Sequence, residues 1–142
     1  MEITQVLLQL LLAVLLGALV GLEREYKKKE AGLQTYSLVS LGACIFTLIA
    51  LGFLPMFEGR AGIETDPARI IQSIATGIGF IGAGVIIYKK AHIEGITTAA
   101  GLWATAAIGV AIGAQFYTIA IISAFLITVI LIAFGEIERK IF

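Results

Sequence analysis

The chain has 142 residues and no net formal charge, and 59% of it is hydrophobic against 14% charged; its mean hydropathy is +1.01. An ordinary soluble domain is about 45–50% apolar and about 25% charged, so a water-soluble unit of 15.1 kDa that hides this much apolar surface is excluded. The charge balance gives nothing for nucleic acid to recognise, and a single cysteine, Cys44 in an apolar run, excludes a disulfide framework or a cysteine zinc site.

A helix needs roughly 20 mostly apolar residues to cross a bilayer. Five runs qualify, at about Ile3–Leu22, Thr35–Leu54, Ile70–Tyr88, Ile96–Gly113 and Phe116–Phe134. The expected fold is therefore all-α: a polytopic membrane protein of five transmembrane helices, residues 1–142 forming one domain. The fourth run is the shortest, and a four-span arrangement with that run re-entrant is the alternative. The first run is not read as a signal peptide, because its basic cluster follows it.

Basic residues set the orientation. Arg24, Lys27, Lys28, Lys29, Lys89, Lys90, Arg139 and Lys140 fall on one side, and Arg60 and Arg69 on the other. The positive-inside rule puts the N-terminus outside and the C-terminus in the cytoplasm.

In the first run, Ala13, Gly17 and Gly21 form a small-residue ladder that lets a second helix approach closely. It is expected to support a homodimer, although the same seam would serve within one chain. Glu23, Arg24 and Glu25 close the run at the inner boundary, where Lys27–Lys29 favour anionic lipid. In the second run, Tyr36, Ser37, Ser40, Cys44 and Thr47 share one side.

Asp66-Pro67 reads as the start of the third helix, with Asp66 as cap and Arg69 as its partner. Glu58 and Glu64 precede it. In that helix Arg69, Gln72, Ser73, Thr76, Phe80 and Ala83 share a face opposite Ile70, Ile71, Ile74, Ile78, Ile81 and Val85. Lipid is a poor solvent for Gln72 and Arg69, so the polar face is expected to turn inward. Gly77, Gly79, Gly82 and Gly84 fit a dinucleotide fingerprint literally, but that motif needs a preceding strand. They read as packing positions, with local unwinding around an ion as the alternative.

His92 reads as a solvated loop residue. The fourth run presents Thr97, Thr98, Gly101, Ala104 and Thr105 on one side, with Trp103 filling a gap opposite its alanines. The fifth is apolar nearly all round and reads as peripheral. Helices two, three and four are expected to form the inner layer.

Five strings then occur in order: Gly21-Leu22-Glu23-Arg24-Glu25, Ala31-Gly32-Leu33-Gln34-Thr35, Asp66-Pro67-Ala68-Arg69-Ile70, the Gly77–Ile86 stretch, and Gly95-Ile96-Thr97-Thr98-Ala99-Ala100-Gly101-Leu102-Trp103. In this register, over about residues 10–115, the chain resembles the MgtC/SapB family of bacterial inner-membrane proteins. The resemblance implies a role tied to low magnesium and, in some members, to survival inside host cells. It implies a regulator acting on membrane partners such as the ATP synthase, with magnesium or other cation transport as the alternative and a structural subunit of a membrane complex as the second. No enzyme activity and no cofactor are expected, beyond Mg²⁺ as a ligand. Gln34 and Tyr36 stand where the family often shows Arg and His. The length implies the short, SapB-like form without the cytoplasmic C-terminal domain.

The residues expected to matter are Glu23, Arg24, Asp66, Arg69, Gln72 and Thr98. Glu23 and Arg24 belong to the inner boundary, and Asp66 and Arg69 to the outer one, roughly 30 Å away. Gln72, Thr76 and Thr98 are the expected link between the two ends.

Overall fold

The computed structural model describes residues 2–57, 66–89 and 92–141, with the backbone alone at Phe57, Ile87, Tyr88, Lys89, His92 and Arg139. Among the described residues, five helical spans long and apolar enough to cross a membrane make this a multi-pass membrane protein. Four are α1 (Ile3–Tyr26), α2 (Leu33–Phe57), α3 (Pro67–Val85) and α4 (Ile96–Gly113). The fifth, Tyr117–Glu138, is α5 (Tyr117–Val129) continued through a π-helical segment, Ile130–Phe134, into α6 (Gly135–Ile141). A short antiparallel hairpin, β1 (Ile87–Lys89) and β2 (His92–Glu94), joins α3 to α4. Glu58, Arg60 and Glu64 lie outside the described residues.

Two helix ends close the same way without glycine. After α1, Lys28 takes a left-handed backbone (φ 52°), and the Lys29 and Lys28 amides donate to the Arg24 and Glu25 carbonyls, each at 3.0 Å. After α4, Gln115 (φ 67°) does likewise, with Phe116 and Gln115 donating to Ala111 and Ile112 at 2.8 and 3.0 Å. Each closure satisfies carbonyls that would otherwise be orphaned. The hairpin instead delivers Gly95 at φ +90° to cap α4, where a side chain would be strained and would run into the Val85 carbonyl.

α4 is the centre. Ten of its 18 residues are buried, so the fourth run is a continuous core helix. α1 and α2 close on it through backbone-to-backbone approaches. Ser40 of α2 is held between Gly17 of α1 and Gly109 of α4, and Gly113 backs onto Thr47 and the Cys44 carbonyl. Gln9 fixes the far end of α1, its Nε2 donating to the Ile112 carbonyl at 2.9 Å. α5 buries only Ala120 and Ala124, so it is peripheral as expected.

Several expectations are corrected. Ala13, Gly17 and Gly21 are all buried within the protomer, so the ladder joins α1 to α2 and does not carry a homodimer. The inner layer is α1, α2 and α4, with α3 outside it. The helix of the third run stops at Val85, because the chain turns into the hairpin. α3 is unbroken, and of its glycines Gly82 alone packs, with Ala99 of α4 at 3.4 Å from where a Cβ would stand; Gly77, Gly79 and Gly84 face open space. Its inward side is the apolar one, Ile74, Ile78 and Val85, while Gln72, Ser73, Thr76, Phe80 and Ala83 are exposed. Packing onto α4 rewards apolar contact, and that turns the polar face away within a single protomer. Trp103 is 56% exposed; Gly101, Leu102, Thr105 and Ala106 take the buried side of α4.

Candidate functional site

Where α1 ends and α4 begins, charged and hydroxyl groups converge. Arg24 sits in the last turn of α1 with its side chain 5% exposed. Its Nη2 donates to the Thr98 hydroxyl at 2.5 Å. That hydroxyl donates onward to Glu30 Oε2 at 2.7 Å. Tyr36 Oη donates to the Thr98 carbonyl at 3.2 Å. A hydroxyl carries one proton and two lone pairs, so Thr98 accepts from a guanidinium and gives to a carboxylate with one atom. Gly101 makes room for the phenol, which a methyl at that position would strike.

A second row flanks the first. Glu23 Oε2 is 3.8 Å from Arg24 Nη1, and its Oε1 is 2.7 Å from Lys27 Nζ. Lys27 also comes within 3.9 Å of Glu136 on α6. Glu25 Oε2 accepts the Leu33 amide at 3.1 Å, and Gly32 packs directly on that carboxylate. The loop between α1 and α2 is thereby stapled at both ends. The Thr98 hydrogen bond holds the Glu30 carboxyl below its ordinary value of 4.5, helped by its own backbone amide and, to a lesser degree, by the Lys29 and Arg24 charges, against the opposing effect of burial. Tyr26, Lys28 and Lys29 stand exposed around the staple.

The structure brings Glu23, Arg24 and Thr98 together and leaves the other three candidates apart. Asp66 spends Oδ1 on the Ala68 amide at 2.8 Å, the cap its position implied. Arg69 makes no ion pair with it; it lines a lateral groove of about 1030 Å³ between α2 and α3, walled by Leu38, Phe46, Ile70 and Ile74. Gln72 lies on the exposed side of α3, and Thr76 bonds the Gln72 carbonyl of its own helix at 2.8 Å. Thr98 therefore belongs to the Arg24 cluster, and the expected Gln72–Thr76–Thr98 link between the two ends is not formed.

Sequence reasoning did not single out Glu30 or Gln9, and it read Lys27 only for orientation and anionic lipid. Gln9 carried a signal, since it and Gln5 are amides within an apolar run. Glu30 carried none, since a loop carboxylate gains its role only from the fold.

Comparison with known proteins follows the same register. The model of the MgtC family matches residues 10–140. A Haemophilus influenzae protein of uncharacterised function is 42% identical over 85% of this chain and 52% of its own length. YhiD of Escherichia coli K12, named as a candidate magnesium transporter, is 36% identical over 95% of this chain and 63% of its own. Protein SapB of Bacillus subtilis is 39% identical over 96% of this chain and 59% of its own. The chain thus spans about half to two thirds of the length of these relatives. No solved structure matches it.

Proposed function

The chain belongs to the MgtC family, and from that premise we propose that it is a non-enzymatic regulator in the bacterial inner membrane, linked to magnesium homeostasis and acting by docking a membrane partner. The observation that carries this reading is the Arg24–Thr98–Glu30 staple. It ties the α1–α2 loop to the start of α4, with Tyr26, Lys28 and Lys29 exposed around it. Charge at a surface favours recognition. Behind it, α1, α2 and α4 close at backbone distance around Ser40 and Gly109. The name of YhiD favours the second reading, cation transport.

The test pairs two measurements. Purified protein in liposomes with a Mg²⁺ gradient is expected to give no flux above protein-free vesicles. Cells carrying Thr98→Val are expected to lose growth in low magnesium when compared with the parent at matched membrane levels of the protein. Mg²⁺ flux that Thr98→Val abolishes would establish transport and overturn the regulatory reading.

A further inference from the structure

α3 holds the least apolar of the five spanning windows, yet Gly82 is its only buried residue. Two of its sides are accounted for. One packs on α4 through Ile74, Ile78 and Gly82. The next, with Arg69, Ser73 and Gly77, lines the groove toward α2. At about 100° per residue, the remaining face carries Ala68, Gln72, Thr76, Gly79 and Ala83. All five are exposed, and none lines the groove. Gln72 lies about 7.5 Å along the helix from Pro67. Hydrocarbon offers an amide nothing to bond, so a membrane helix satisfies such a group against protein.

We propose that this face is where two copies of the chain meet, α3 against α3, about a two-fold axis along the membrane normal. Copies inserted in one bilayer share an orientation, so identical residues stand at identical depth. A second copy therefore brings to the level of Gln72 a group that both donates and accepts. The amide has two N–H donors and a carbonyl oxygen, and two of them exchange reciprocal bonds across the axis. Further along, Gly79 and Ala83 present almost no side chain, and a Cβ at Gly79 meets nothing within 4 Å in the protomer. Small residues at this spacing let helix axes come close, and two-fold closure is the commonest assembly. Arg69 lies to the groove side of the seam, so like charges are not driven together. The inference deepens the membrane reading by naming an interface, and it does not depend on what the protein regulates.

The test is oxidative cross-linking of the full chain in native membranes, with Cys44→Ser as background and single cysteines along α3 and α5. Gln72→Cys, Gly79→Cys and Ala83→Cys are expected to form disulfide dimers; Ser73→Cys and Ile121→Cys are expected to stay at background. Adding Gly79→Leu to the Ala83→Cys chain is expected to cut the dimer at least fivefold. The cysteine series decides alone if that variant fails to accumulate. Dimer at Ser73 instead, background at all three seam positions, or capture of a different protein there would each overturn the proposal. Growth in low magnesium is not read, so failure of the regulatory reading remains a separate result.

Discussion

Thr98→Val removes one oxygen atom and leaves the shape of the side chain nearly unchanged. Two bonds go with it. A hydrogen bond to a charged group contributes about 1.5–3 kcal/mol, and the Arg24 end of this one is buried. Removing one partner of a buried pair costs about 3–5 kcal/mol, but Arg24 keeps Glu23 at 3.8 Å, which places its loss at the lower scale. Glu30 is exposed, so water replaces the hydroxyl there at a cost of about 0–1 kcal/mol. The expected destabilisation is about 2–3 kcal/mol, read by reversible SDS unfolding in mixed micelles. Thr98→Ser restores the hydroxyl and most of the loss. The decisive measurement is a double-mutant cycle with Arg24→Met, in which Thr98→Val should cost at least about 1.5 kcal/mol less than in the parent. A coupling within about 0.5 kcal/mol of zero would show that the hydroxyl does not hold Arg24, and the staple would be discarded.

Two further outcomes follow from the same geometry. Gly109→Ala drives a methyl into the Ser40 carbonyl and should destabilise by about 3 kcal/mol, whereas Gly77→Ala, with open space around it, should stabilise by up to about 1 kcal/mol; equal effects in SDS unfolding would refute the packing at α4. Because the Glu30 carboxyl is held below 4.5, its stabilising bond is fully present above that value and lost as pH falls through the folded value. The stability difference between the parent and Glu30→Gln should therefore be flat from neutral pH down to about 5 and shrink below about 4.5. A difference that widens on acidification would contradict the assignment.

The spans were legible because twenty-residue apolar runs have one physical solution in a bilayer. Asp66-Pro67 was legible for a similar reason, as both residues act on their own backbone. The facing of α3 was not. The polarity argument says that Gln72 must be covered by something polar; it does not say that the cover lies in the same chain. Ile74, Ile78 and Gly82 met α4, and Gln72 was left exposed. The cluster was half legible. Glu23 and Arg24 stood out at the end of a span, and Thr98 in a resembling string. Their union with Glu30 and Tyr36 required the three-dimensional meeting of a loop with a helix start 68 residues away, which no periodicity encodes.

The π-helical segment at Ile130–Phe134 has a bearing on how this sequence can drift. Such a segment holds one residue more than regular winding would, so everything beyond it is turned by about 100°. That turn is what places Gly135 beside Lys27 and brings Glu136 within 3.9 Å of the same amine. Exchanges among Ile, Leu, Val and Phe leave the turn in place and should pass freely. Loss of a single residue there would restore even winding and swing Glu136 off the charged cluster. In this stretch it is the count of residues, more than their kind, that inheritance has to preserve.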